Sequence, residues 1–227
     1  MRIGVVVIGA ALLAGVTACG GSPPASGAAD PLAGLTAKKV AAKAQADMRA
    51  KPAMRFTGTI SGSGTTVTMS LVVEENAGCE GTFSQPGRGS FEFLDLHGQV
   101  WIKPDDAFWK SNTLLPSRLL RLWEGKWVTT TGTYAQYNGW AKTCTLNDKA
   151  TGTTRGLRRL GTANISGHRT LILENPDKSK VYVTDTASPV IVRVAGPATG
   201  DGYITISLLP STPAITAPPA KLIIHGS

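Results

Sequence analysis

The chain has 227 residues, 42% of them hydrophobic, and 23 Lys and Arg against 15 Asp and Glu give it a formal net charge of +8. That length supports one ordinary domain with a real core and is short for two. The positive surplus is scattered rather than gathered into a stripe, which argues against a nucleic-acid partner, and no segment has the ~20 consecutive apolar residues of a spanning helix.

The first segment runs Met1-Arg2, an apolar stretch from Ile3 to Val16, then Thr17-Ala18-Cys19-Gly20-Gly21. A short positive start, an apolar run too short for a stop-transfer helix and small residues at the break describe a secretory signal peptide. The cysteine directly after that break resembles the bacterial lipobox, hydrophobic-x-small-Cys, filled here by Val16, Thr17, Ala18 and Cys19. The resemblance implies that residues 1–18 are a lipoprotein signal peptide, cleaved before Cys19, and that the Cys19 thiol carries diacylglycerol. Each buried methylene contributes about 0.8 kcal/mol, and two acyl chains hold stably where one does not. A diacylated Cys19 therefore makes the membrane a partner and fixes the location as the extracytoplasmic face of the cell membrane. Residues 19–30, rich in Gly, Ser, Pro and Ala, read as a flexible tether, and residues 31–227 as a single domain.

Of the three cysteines, Cys79 and Cys144 remain once Cys19 is assigned to lipid. An even pair in an oxidising compartment is expected to form a disulfide, which on the chain-entropy model stabilises by roughly 4 kcal/mol. There is no CxxC motif, and two cysteines without clustered histidines make no metal site.

Leu32 to Lys51 reads as an amphipathic helix, with Asp30-Pro31 as cap and N1 proline and Pro52 as its stop. From Arg55 the apolar period becomes two. Strands are expected at 55–61, 66–73, 79–84, 90–96 and 99–103, with tight turns at Ser61-Gly62-Ser63-Gly64 and His97-Gly98. The middle third holds a short capped helix at 104–110, a Leu-rich helical stretch around Leu115, Leu119, Leu122 and Trp123, and a helix candidate at 131–144 weakened by Gly139. Five further strands follow at 161–166, 168–174, 180–185, 189–195 and 202–208, and 210–219 is extended. The fold class is α+β: an antiparallel curved sheet of about ten strands, a half-barrel, with helices packed across its concave face.

The order of lipobox, Ala-rich helix, meander, helical insertion, second meander and Pro-rich tail resembles the actinobacterial lipoproteins of the LppX/LprG type, within the LolA/LolB-like class. The runs Cys79-Glu80-Gly81-Thr82, Gly89-Ser90-Phe91-Glu92-Phe93, Gly98-Gln99-Val100-Trp101-Ile102-Lys103-Pro104 and Ile215-Thr216-Ala217-Pro218-Pro219-Ala220 carry that resemblance. It implies a carrier of lipid or lipoglycan, with acyl chains between sheet and helices. Alternation places Val67, Met69, Leu71, Phe91, Phe93, Val100 and Ile102 on the lining strands, and Leu115, Leu119, Leu122 and Trp123 on the helices above. Such a face is either a ligand cavity or plain core, and the sequence leaves both open.

Catalytic patterns are missing. His97, His168 and His225 have no partner at catalytic or metal-ligand spacing, and no GxSxG, HExxH or phosphate-cradling glycine loop occurs. Asp105-Asp106 fit the first turn of a helix better than a catalytic pair. The expectation is a monomeric lipid-binding protein without enzymatic activity, metal or cofactor. The alternative is an envelope interaction protein that tethers a partner, with a filled core and an aromatic patch between Trp127 and Trp140.

Overall fold

A computed structural model describes residues 30–62, 64–74, 77–112, 117–130, 132–145 and 155–225. Helix α1 spans Ala37–Arg49. Five strands follow: β1 Ala53–Gly62, β2 Thr65–Glu74, β3 Gly78–Gln85, β4 Gly89–Leu96 and β5 Gln99–Pro104. Then come α2 Asp106–Asn112, α3 Ser117–Trp123, β6 Trp127–Thr129 and a 3-10 helix over Gly132–Thr145. The last third supplies β7 Arg158–Ile165, β8 His168–Glu174, β9 Lys180–Thr184, β10 Ile191–Ala195, β11 Gly202–Leu208 and β12 Ile223–Ile224.

The strands form one open, curved sheet of twelve, ordered β12-β6-β5-β4-β3-β2-β1-β11-β10-β9-β8-β7. The two meanders are joined where β1 pairs antiparallel with β11, so they make one sheet rather than two. The count exceeds the expected ten by β6 and β12. These short strands pair in parallel, Ile223 beside Trp127, because the C-terminal segment crosses back to the β6 edge.

Local chemistry sets the element ends. Helix α1 begins later than the sequence suggests. Asp30 accepts a hydrogen bond from the Leu32 N–H at 2.9 Å within a turn of residues 31–34, and Thr36 Oγ1 is the cap, accepting from the Lys39 N–H at 3.3 Å. The expectation for α2 holds better. Asp105 Oδ1 accepts from the Phe108 N–H at 2.7 Å while its Oδ2 accepts from the Ser90 N–H and hydroxyl at 2.9 and 2.7 Å, so one carboxylate caps the helix and ties it to β4. Partial burial opposes ionisation of Asp105, but these donors outweigh it and hold the carboxyl below the usual range. At the β4–β5 hairpin His97 and Gly98 both have positive φ, 52° and 83°, as a two-residue primed turn requires. The 131–144 candidate is 3-10 rather than α-helical, in a stretch with Gly139 and four threonines or asparagines that favour other conformations.

Curvature has a residue-level cause. A Cβ on Gly58 would overlap the Tyr203 carbonyl oxygen, and one on Gly81 would overlap that of Ser70. Only glycine lets neighbouring strands approach this closely, and glycine kinks of this kind bend sheets. One face of the sheet joins the buried side of α1 in a single core. It contains Val40, Ala44 and Met48 of the helix with Phe56, Leu71, Phe83, Phe93, Ile102, Leu173, Val183 and Ile206 of the sheet. The opposite face carries a small second cluster in which Ile215 of the C-terminal segment packs on Leu94 and Trp101.

Candidate apolar binding site

Strand register lines up the inner face in rows. One row runs Leu173, Val181, Val194, Ile204, Gly58, Met69, Phe83 and Phe91, from β8 to β4. The next runs Ile206, Phe56, Leu71, Gly81, Phe93, Ile102 and Val128, from β11 to β6. Helix α1 lies over β7, β9 and β10, and α2 over β4. The aromatic end is dense. The Phe83 ring stands 5.2 Å from Phe91, 5.6 Å from Phe93 and 4.4 Å from Trp140 of the 3-10 segment. Cys144 of that segment is joined to Cys79 of β3 by a disulfide with Cα atoms 5.5 Å apart, which fixes the segment over the inner face.

The residues expected to line a cavity divide clearly. Met69, Leu71, Phe91, Phe93, Val100 and Ile102 do share the inner face, but each is at most 4% exposed and closed over by the protein's own side chains. Val67 and Trp123 are half-buried against the same core, with the Trp123 ring 5.3 Å from Trp109. Leu122 points away and is 67% exposed, because α3 presents its other side to the core through Leu120 and Trp123. Cys19 and Leu115 lie outside the described residues, as does the side chain of Leu119.

Open apolar space occurs elsewhere on that face. A groove of about 450 Å³ is lined by Ile60, Val194, Ile204, Pro197 and Tyr203, with Gly196 and Gly202 among them. Ile60 is 39% exposed, while Val194 and Ile204 are half-buried and pack against the main core. Register explains the hollow. Ile60 pairs with Gly202 across β1–β11, and Ile204 and Met69 flank Gly58, so two positions of the inner face carry no side chain. Nothing local to Val194 or Ile204 announces that β11 lies against β1 and β10 beside it.

Asp201 and Tyr203 also line this groove, while the carboxyls whose ionisation the fold shifts lie elsewhere. Asp95 is buried on the inner face; burial pushes its carboxyl up, against the hydrogen bond it accepts from the Gly98 N–H at 2.9 Å. A second cluster anchors the start of the domain. Arg159 Nη1 donates to the carbonyls of Leu32 and Leu35, both at 3.1 Å, and Nη2 lies 3.4 Å from Asp30. Asp185, whose side chain is 1% exposed, sits 3.2 Å from Arg169 Nε. Burial, then the neighbouring Asp30, pushes the Asp185 carboxyl up, while the Leu32 N–H and Arg159 hold Asp30 down. Arg158 pairs with Glu174 at 2.5 Å. Arg158 and Arg159 thus both serve contacts within the chain. Among the described residues no three His, Cys, Asp or Glu gather as metal ligands, and no helix is long and apolar enough to cross a membrane. Trp127 and Trp140 are both half-buried, on opposite faces of the sheet, and make no joint surface patch.

No family model matches the chain, and no curated protein matches it by sequence. Its structural neighbours include the lipoprotein LppX of Mycobacterium tuberculosis, with 12% identity, a TM-score of 0.47, and 79% of this chain and 98% of that one covered. LprF of Mycobacterium bovis aligns with 12% identity and a TM-score of 0.46 over 80% of this chain and 96% of its own. An uncharacterized conserved protein from Thermus thermophilus aligns with 10% identity and a TM-score of 0.43 over 84% of this chain and 99% of its own.

Proposed function

We propose that this chain is a lipoprotein anchored through Cys19 at the extracytoplasmic face of the cell membrane, and that it binds the apolar chain of a lipid or lipoglycan without catalysing a reaction. The observation that carries this reading is the groove of Ile60, Val194 and Ile204, continuous with the main core and partly open to solvent. Its volume of about 450 Å³ lies within the ~300–1,000 Å³ usual for small-molecule sites. An apolar chain laid there removes the exposed part of Ile60 from water at roughly 25 cal/mol per Å². The binding region is thus centred on β1, β10 and β11, with Val67 beside it, rather than on the sealed row around Phe93 and Ile102. The helical cover over the concave face belongs to the same reading: α1 and the disulfide-pinned segment shield its two sides.

The test is fluorescence titration of the exported chain with a dansyl-labelled fatty acid. Saturable binding that weakens at least tenfold in Ile60→Glu supports the reading; binding indifferent to that change removes the groove from it. A second reading, an envelope protein that tethers a partner, is favoured by one observation. Met69, Leu71, Phe93 and Ile102 are sealed by the protein alone, while Leu122 and Leu160 are 67% and 49% exposed. Absence of any fatty-acid binding, with capture of an envelope partner lost in Leu122→Glu, would favour it.

A further inference from the structure

The outer face of the sheet carries a second groove of different chemistry, about 560 Å³ in volume, between β1–β4 and the C-terminal segment. We propose that it is a saccharide-binding site, separate from the apolar groove and independent of whether that groove takes lipid.

The floor is set by register. Arg55, Val72 and Glu80 occupy one cross-strand row, and Ser70, Thr82 and Glu92 the adjacent one. Arg55 and Glu80 therefore flank Val72 two strand spacings apart, about 9.6 Å between backbones. Among the described residues neither enters an ion pair, whereas Glu92 is held by Lys103 at 2.9 Å. One wall is built by the chain's own tail: Ile215 and Pro218 are buried against the sheet, and Trp127 lines the groove beside them.

The groove thus has an apolar wall of Trp127, Ala217 and Pro219 beside a floor that carries an unpaired donor fork, an unpaired acceptor and the hydroxyls of Ser70 and Thr82. The matching ligand is uncharged, has a C–H face to lie against the half-buried Trp127 indole and the exposed Pro219, and carries hydroxyls on its rim. Those hydroxyls donate to Glu80 and Glu92 and accept from Arg55. A pyranose has these properties. An acyl chain would leave Arg55 and Glu80 desolvated without partners, which costs free energy. An α-amino acid carries its two charges too close together to reach both.

Saturation-transfer NMR tests this on the exported full chain in lauryldimethylamine oxide micelles, which contain no sugar. The probes are maltotriose, cellotriose and chitotriose, with glycylglycine as a zwitterionic control. We expect saturable transfer from at least one trisaccharide, weakened at least tenfold in Glu80→Gln and in Arg55→Met and unchanged in Ile60→Glu. Melting temperatures of the two outer-face variants should match the parent, since both side chains lie at the surface. Transfer from none of the trisaccharides, transfer that survives both outer-face substitutions, or transfer from glycylglycine alone would overturn the proposal.

Discussion

Replacing Cys79 and Cys144 together by alanine opens a loop of sequence separation 65 while leaving the strand order untouched. The chain-entropy relation gives a loss of loop-closure entropy worth about 4.3 kcal/mol at 25 °C for a loop of that length. The bond also pins the 3-10 segment, and with it Trp140, against Phe83 at 4.4 Å. The unlinked chain should therefore lose about 4 kcal/mol in urea unfolding. Its denaturant slope should rise, because a chain freed of the crosslink exposes more surface when unfolded. Trp140 emission should shift as the indole leaves the aromatic cluster. A loss under about 1 kcal/mol with an unchanged slope would refute the reasoning: the segment would then be held by packing, and the crosslink would not restrict the unfolded ensemble.

Phe83→Ala removes a fully buried ring with three aromatic neighbours and should cost about 3–5 kcal/mol in the same assay; a cost near 1 kcal/mol would mean that the core collapses into the space. Gly81→Ala drives a Cβ into the Ser70 carbonyl and should cost about 1–3 kcal/mol, whereas a neutral result would show that β2 and β3 can part there without loss. Asp185 has a carboxyl raised above its ordinary 3.8 by burial and by Asp30, so the folded state binds this proton more tightly than the unfolded one. Its contribution is full below 3.8 and declines as pH rises through the folded value. Asp185→Asn should therefore be relatively more stable at neutral pH than at acid pH, and parallel pH–stability curves for the two proteins would contradict this.

Period-two alternation carried most of the fold, since β8 and β11 fall where 168–174 and 202–208 place them. Strands β6 and β12, three and two residues long, are too short to show a period and exist because the C-terminal segment returns to Trp127. The late start of α1 depends on Thr36, which caps the helix because the Asp30 carboxylate is engaged by Leu32 and Arg159. The inward set Met69, Leu71, Phe91 and Phe93 was legible as a face, but alternation is the same for a filled core and a cavity. What separates them is the cover above, and that depends on the disulfide and on Phe83–Trp140 packing between distant parts of the chain. The groove at Ile60, Val194 and Ile204 was not legible, since it arises from β1–β11 pairing and from glycines that leave space. Leu122 illustrates the converse: heptad-like spacing marked an apolar stripe, but a two-turn helix buries only part of it, and Leu120 and Trp123 took that side.

Native mass spectrometry of the chain purified from exporting cells, followed by organic extraction, tests the central proposal most directly. The account predicts a non-covalent mass beyond the acylated polypeptide that extracts as lipid and is absent from Ile60→Glu. A bare acylated polypeptide that takes up no offered phospholipid would contradict it.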